Sequence, residues 1–174
     1  NGKIIMKEKE FIKLVLDRLE PHFFIEKEVT GFSPIFNKPF RIDAIIKPKD
    51  VSKWANKDIK FGIEFKEFRE HDVNEIHFHH QVKQAIDYSY STFNGERIPV
   101  LLCPTIEKLK NHHGVFEYKI LAKHLNAFNI GEIKTTNRGL SIVFSDIHII
   151  WSEKYGIGEG KTWKFKDRIG GQKV

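Results

Sequence analysis

The stretch FRIDAIIKPKD, residues 40–50, together with FGIEFKEF, residues 61–68, decides the fold of this chain. Apolar side chains recur at every second position in both parts, which predicts two β-strands. The polar residues 47–60 between them predict a long hairpin loop. We expect Arg41 and Asp43 on one face of the first strand, and on its other face the apolar set Phe40, Ile42, Ala44 and Ile46.

The charged residues of the two strands are expected to meet. Glu64 and Lys66 stand on the face of the second strand opposite Phe65, and antiparallel pairing would bring Asp43 beside them. Two carboxylates about 4 Å apart repel by roughly 4 kcal/mol at an effective dielectric near 20, so a cation has to offset them. A divalent metal ion suits such oxygen ligands. The same alternation also fits a solvated strand face with cross-strand ion pairs.

A family resemblance follows from these residues. Asp43, followed some twenty positions later by Glu64-Phe65-Lys66, resembles the bipartite motif of the PD-(D/E)xK nuclease superfamily, although Ile42 stands where the family has Pro. The resemblance covers roughly Glu8 to Pro104. It implies an α/β, restriction-endonuclease-like fold, in which a mixed central sheet is flanked by helices. Here that fold would carry appended C-terminal strands and a basic tail.

The order of predicted elements agrees with that fold. We expect an amphipathic helix over Met6–Glu20 that buries Phe11, Leu14, Val15 and Leu19. The elements expected around the hairpin are a strand over Phe23–Thr30, a helix over Val73–Ser91 and a buried strand over Ile98–Pro104, parallel to Phe61–Phe65. The C-terminal part predicts a helix over Val115–Phe128 and strands over Glu132–Thr135 and Leu140–Trp151. Trp54, in the hairpin loop, is expected to cap a small core rather than stack on a base.

Length and composition set the organisation and the partners. We expect one nuclease-like domain over residues 1–153 and a flexible, Gly-rich basic tail over residues 154–174. The 29 Lys and Arg residues exceed the 23 Asp and Glu residues, and the net charge of +6 favours an anionic partner. The single Cys103 predicts a buried thiol and excludes a disulfide framework within this chain. No apolar run approaches 18 residues, so we expect a cytoplasmic protein without a membrane partner.

The resemblance also implies a set of site residues. Mg²⁺, with Mn²⁺ as a substitute, would be held by Asp43, Glu64 and the Phe65 carbonyl, with Glu10 of the first helix as an added acid. Lys66 would act beside the metal. In RecB-type nucleases and lambda exonuclease the helix after Glu-x-Lys carries Gln-x-x-x-Tyr, and this chain has Gln84 and Tyr88 at that spacing. The implied catalytic residues are therefore Asp43, Glu64, Lys66 and Gln84.

The expected partner is DNA. Residues expected to contact it are Arg41, Lys47, Arg69, Gln81, Lys83 and Tyr88, with the cations binding phosphates. Gln81 lies one helical turn before Gln84 and could share its role. A homodimer or a larger complex is left open.

Three functions are compatible with the sequence. The first is a metal-dependent deoxyribonuclease that hydrolyses phosphodiester bonds, with endonuclease and exonuclease action both open. The alternative is a non-catalytic nucleic-acid-binding module that keeps the nuclease fold. The third is an α/β domain whose acids and lysine form surface ion pairs. A zinc site at His77 and His80 is disfavoured, because no Cys ligand and no His-Glu-x-x-His motif accompany them.

Overall fold

The chain forms three α-helices and a nine-stranded mixed sheet in the computed structural model, which describes residues 8–66, 75–105 and 110–165. The helices are α1 (Glu8–Leu19), α2 (Glu75–Tyr90) and α3 (Lys110–Ala127). The strands are β1 (Phe23–Ser33), β2 (Lys38–Pro48), β3 (Phe61–Phe65), β4 (Thr92–Phe93), β5 (Val100–Cys103), β6 (Ile130–Thr136), β7 (Gly139–Phe144), β8 (His148–Ser152) and β9 (Gly156–Ile157). The predicted α/β class is confirmed.

The sheet order is β4-β1-β2-β3-β5-β6-β7-β8-β9. β2 and β3 pair antiparallel, whereas β3, β5 and β6 pair in parallel, and both predicted pairings of β3 are confirmed. Parallel neighbours need a long crossover connection, and the segments holding α2 and α3 supply it. β3 therefore lies inside the sheet with a partner on each side.

Each face of the sheet has its own hydrophobic core. One core lies beneath α1 and contains Leu19, Phe61, Ile63, Phe65 and Trp54, so the predicted role of Trp54 is confirmed. The other core lies beneath α2 and α3 and contains Ala85, Tyr88, Leu102 and Leu125. Cys103 is 1% exposed, as predicted, and burial raises the pKa of its thiol.

β2 changes face in its middle, which the alternation did not predict. Ala44 and Ile46 belong to the α1 core, but Ile42 belongs to the α2 core. Lys27 pairs with Ala44 and Val29 with Ile42, and Glu28 between them has a φ of 52°. Such an irregularity redirects side chains locally. The expectation that Phe40, Ile42, Ala44 and Ile46 share one face is therefore wrong, and Asp43 lies at the change.

Gly62 makes room for the redirected Ile42. A Cβ at Gly62 would lie 2.5 Å from Ile42 Cδ1, closer than two carbon atoms can approach. Because Gly62 has no side chain, the Ile42 side chain can lie against the backbone of β3 at this position. The change of face at Asp43 therefore requires a glycine at position 62 of β3.

Two other expectations need correction. Leu14 on α1 is 46% exposed, because the helix turns Val15, Leu16 and Leu19 toward the core instead. The segment Leu140–Trp151 is two strands, because Ser145 and Asp146 take positive φ angles of 54° and 68° and turn the chain.

The start of the expected tail is packed against the domain. β9 pairs with β8, and a short 3₁₀ helix follows at Glu159–Lys161. The Trp163 ring lies 4.9 Å from the Phe144 ring and 6.1 Å from the Phe61 ring. Aromatic contacts of this size hold the segment, so the expectation of a flexible loop fails for residues 154–165. In the described residues no helix has the length and apolarity to cross a membrane.

Candidate functional site

The site begins where the β2–β3 ladder ends. The ladder runs to the pair Ala44–Ile63, and the next residues along it are Asp43 and Glu64. There the Asp43 Oδ2 atom accepts a hydrogen bond of 2.7 Å from the Phe65 N–H. A carboxylate thus replaces a backbone acceptor, which fixes the side chain of Asp43 against the end of β3.

Glu64 and Lys66 stand on the same face of the strand, as the alternation predicts. The Lys66 Nζ atom lies 2.6 Å from Glu64 Oε1, and the side chains are 36% and 3% exposed respectively. The partly exposed Lys66 side chain therefore contacts the buried carboxylate of Glu64. The predicted convergence of Asp43, Glu64 and Lys66 is therefore present in the structure.

Glu64 has one oxygen that its neighbours leave unsatisfied. Its Oε2 atom is buried and has no hydrogen-bond partner within the described part of the chain. Leaving a buried acceptor unpaired costs roughly 1–3 kcal/mol, and more for a charged group. The arrangement therefore favours an additional cation or proton at this oxygen.

The protonation of Glu64 reflects that balance. Burial raises the pKa of Glu64 to about 7; the ammonium of Lys66 opposes the rise, and the carboxylate of Asp43 adds to it. A carboxylate whose pKa lies near neutrality changes its charge easily when a cation arrives. The two acids are close enough to affect each other, as the register predicts.

Helix α2 braces β2 just before Asp43. The Gln84 Nε2 atom donates to the Tyr88 hydroxyl at 2.7 Å, and that hydroxyl donates to the Arg41 carbonyl at 2.8 Å. Burial raises the pKa of Tyr88 to about 12, and the nearby charge of Glu64 contributes. The phenol therefore remains a donor at physiological pH. Gln84 and Tyr88 therefore hold the backbone of β2 two residues before Asp43.

Gln81 is the second unsatisfied group on this face. It is 3% exposed, and its Nε2 atom has no hydrogen-bond partner among the described residues. Glu64 lies on the same face of the sheet as α2. An unpaired donor on α2 and an unpaired acceptor on β3 are therefore both buried in the described part of the chain, which is unusual for groups that serve packing alone.

The residues present fit a hard divalent cation. Asp43, Glu64 and the Phe65 carbonyl supply oxygen atoms, and Mg²⁺ commonly binds through one or two carboxylates with waters completing its shell. The buried, unpaired Glu64 oxygen is the observation that favours this fit. In the described residues no three His, Cys, Asp or Glu side chains form a metal-binding group, so the structure does not join Glu10 to the two acids. Glu10 lies on the exposed side of α1, which covers the other face of the sheet.

The predicted DNA-contacting residues differ in exposure and in distance from Asp43. The Arg41 side chain is 67% exposed and lies 3.8 Å from Glu28, and Lys83 is exposed and pairs with Asp87 at 2.7 Å. Lys47 lies four residues from Asp43, about 13 Å along the strand. Arg69 falls outside the described residues, as does the side chain of His77.

Two of those residues are buried. Tyr88 is 5% exposed and Gln81 is 3% exposed. A buried side chain presents little surface to a nucleic-acid strand. The DNA contact of Tyr88 stays a prediction, and the contact present in the structure is the hydrogen bond from its hydroxyl to the Arg41 carbonyl.

A second polar cluster escaped the sequence reasoning. Glu132 and Lys134 on β6 are 4% and 5% exposed, and they meet Tyr118 of α3 and Asp146 of the β7–β8 turn. Lys134 Nζ lies 2.6 Å from Asp146 Oδ1, and the Tyr118 hydroxyl lies 2.9 Å from Glu132 Oε2. Another Glu-x-Lys on a strand was the available signal. Its polar atoms bond to one another, so it joins β6, α3 and the turn as a structural network.

A cavity of about 310 Å³ lies elsewhere, at the opposite end of β2. Its walls include Pro48, Trp54, Trp151 and Tyr155. Pro48 is five residues from Asp43, about 16 Å along the strand. The cavity is therefore separate from the acids described above.

Comparisons with known proteins add no assignment. No family model matches the chain, and neither the curated proteins nor the solved structures contain a match to it. The functional argument therefore depends on the geometry of the site.

Proposed function

We propose that this protein is a metal-dependent deoxyribonuclease of the PD-(D/E)xK type, with its site at Asp43, Glu64 and Lys66. The buried carboxylate of Glu64, with one oxygen unpaired beside Asp43, carries the proposal. A solvated ion-pair face, the simplest alternative, would expose both acids to water. Glu64 is instead 2% exposed, and a group this costly to bury usually has a task.

The arrangement of elements supports the same proposal. The described chain runs helix, three-strand meander, helix, a two-residue strand that pairs with β1, and then a strand parallel to β3. That order is the one expected for a restriction-endonuclease-like core. The net charge of +6 suits a polyanionic substrate.

Each residue would have a distinct task. Asp43 and Glu64, with the Phe65 carbonyl, would hold Mg²⁺ or Mn²⁺, which when bound polarises a phosphodiester and lowers the pKa of water. Asp43 is held for this by the Phe65 N–H. Lys66, 36% exposed, can orient the attacking water and stabilise negative charge that develops on the phosphate. Gln84 and Tyr88 keep β2 in place.

The direct test is a cleavage assay with matched variants. Wild-type protein is incubated with plasmid, linear duplex and single-stranded DNA, each with Mg²⁺, Mn²⁺ or EDTA. We expect cleavage with either metal and none with EDTA. Glu64→Gln should bind DNA but not cut it. Glu26→Gln changes an exposed acid on β1 and should cut like the wild type, which makes it the matched Glu-to-Gln control.

Two results would contradict the proposal. Equal cleavage by wild type and Glu64→Gln would remove Glu64 from the site. Binding without cleavage by the wild type under every metal condition would favour the non-catalytic nucleic-acid-binding module.

A further inference from the structure

The turn between β1 and β2 carries apolar side chains into the solvent. Ile35 is 58% exposed and Phe36 is 44% exposed, and Phe32 beside them is 45% exposed. We call residues 34–37 the hairpin tip. Single exposed apolar residues are ordinary, but adjacent ones on a protruding turn indicate a surface that binds something.

The hairpin tip is held in a defined shape. The Phe36 N–H donates to Ser33 Oγ at 3.2 Å, and Asn37 takes a φ of 49°. Pro34 restricts the backbone of the same turn. The exposed side chains are therefore presented in advance of any contact, which lowers the entropy cost of binding.

Two ammonium groups lie over the partly exposed ring of Phe36. Lys38 Nζ lies 5.4 Å from the centre of that ring, and Lys83 Nζ lies 5.0 Å from it. Lys38 also lies 5.2 Å from the ring of Phe40. Exposed apolar side chains with ammonium groups this close complement a ligand that is planar and carries negative charge. Nucleic-acid strands with unpaired bases have both properties.

The hairpin tip connects with the candidate site on the same side of the sheet. The Phe36 and Phe40 rings lie 6.0 Å apart, and the Phe40 and Tyr88 rings lie 5.6 Å apart. Tyr88 in turn bonds the Arg41 carbonyl, two residues before Asp43. From Lys38 to Asp43 the strand spans about 17 Å, at about 3.3 Å per residue. A single nucleic-acid strand whose bases stack at the hairpin tip can therefore reach Asp43 and Glu64.

We infer that the hairpin tip is a stacking wedge that binds unpaired bases and gives the protein a preference for single-stranded or frayed nucleic acid. Ile35 and Phe36 stack on or insert between the bases, and Lys38 and Lys83 contact the adjacent phosphates. The inference deepens the proposed function, since it names the substrate form that this site receives. A membrane surface is the competing partner, because it also accepts apolar residues flanked by lysines.

Binding is measured in EDTA, so that it does not depend on cleavage. Fluorescence anisotropy gives the affinity for a short single strand and for a blunt hairpin duplex, and 2-aminopurine in the single strand detects stacking. Phe36→Ser should weaken single-strand binding about tenfold or more, while duplex binding changes less than about threefold. Phe36→Trp should retain the affinity and the 2-aminopurine signal, since it keeps an aromatic face.

Phe24→Ser is the matched control. Phe24 is 61% exposed at the other end of β1 and has Lys49 Nζ 5.6 Å from its ring. We expect Phe24→Ser to bind like the wild type. Equal losses in both Ser variants, or a Phe36→Ser variant with unchanged single-strand affinity, would overturn the wedge. So would tip-dependent binding to vesicles of neutral and anionic phospholipid without an effect on DNA. If the protein binds single strands through base stacking at the tip but never cleaves DNA, the wedge inference stands and only the proposed nuclease activity is refuted.

Discussion

At the scale of single residues, the environment of Glu64 disfavours its charged form. It is buried with one oxygen bonded to Lys66 and the other unpaired, and Asp43 lies next to it. The pKa of about 7 is the measurable result of burial. A site in this condition is less stable than one without the acid, and a bound cation would reverse that difference.

Glu64→Gln should therefore stabilise the metal-free protein in a pH-dependent way. The folded-state pKa lies above the unfolded value of 4.5, so protonated Glu64 contributes stability that is lost as the pH rises through about 7. The variant should match the wild type near about pH 5 and exceed it near about pH 8 by up to about 3 kcal/mol. Denaturant unfolding in EDTA at both pH values measures this. A constant difference between the proteins would mean that Glu64 does not titrate near neutrality.

Asp43 differs from Glu64 because it also holds the backbone. Asp43→Ala removes the acceptor of the Phe65 N–H and should cost about 1 kcal/mol, whereas Asp43→Asn retains an acceptor and should cost less. Both variants should lose cleavage, because neither provides a carboxylate. Thermal melting and the plasmid assay on the same samples separate the two effects. Cleavage by Asp43→Asn at the wild-type rate would exclude Asp43 as a metal ligand.

At the scale of elements, α2 joins the sheet to the candidate site through side chains of different kinds. Gln84 and Tyr88 form a hydrogen-bonded pair that ends on β2. Gln81 is buried with its amide nitrogen unpaired among the described residues. The two glutamines therefore differ in the structure: the Gln84 amide is bonded to Tyr88, whereas the Gln81 amide nitrogen is unpaired among the described residues. The Gln-x-x-x-Tyr spacing alone does not show which of them serves the site.

Gln81→Leu and Gln84→Ala should behave in opposite ways. Gln81→Leu removes an unpaired buried donor at similar volume, so melting should be unchanged or higher, while cleavage falls about ten- to a thousandfold if that donor serves the reaction. Gln84→Ala should lower the melting temperature and reduce cleavage by less than about tenfold, because it acts only through Tyr88. Rates and melting curves for the pair measure this. The reverse ranking would restore Gln84 as the group that contacts the substrate.

The sequence predicts elements well where one period dominates and poorly where packing chooses between equivalent positions. The β2–β3 hairpin, the parallel β5 and the meeting of Asp43 with Glu64 follow from alternation and loop length. Alternation cannot show that Ile42 changes face, since Gly62 and the φ of Glu28 decide that locally. Helical spacing likewise allows Leu14 or Leu16 as the core residue. The place of Trp163 depends on contacts distant in sequence, with Phe61 and Phe144.

At the scale of the whole molecule, charge and sheet topology act together. The net charge of +6 accompanies two candidate acids, of which Glu64 is buried and Asp43 half-buried. The excess of cations favours the approach of a polyanion. Lys38 and Lys83, which lie beside the hairpin tip, are on the same side of the sheet.

Nucleic-acid binding should depend strongly on salt. If about four to six phosphates are contacted on duplex DNA, the plot of log affinity against log salt should have a slope of about −4 to −5. Titrations over a series of salt concentrations in EDTA measure the slope. Lys83→Ala should reduce its magnitude by about one, whereas Lys161→Ala, at the distant cavity, should not. Affinity that ignores salt would make the basic composition incidental.

The position of β3 has a consequence for how the molecule opens. β3 is bonded to β2 and β5, and its ends carry the Phe11 ring on Phe65 and the Trp163 ring on Phe61. Amide protons on such a strand exchange with solvent only through the largest unfolding events. The amides of Gly62 and Lys66, which donate to Pro99 and Cys103 on the β5 side, should be among the slowest to take up deuterium. The acids would then keep their spacing through the smaller opening events of the molecule.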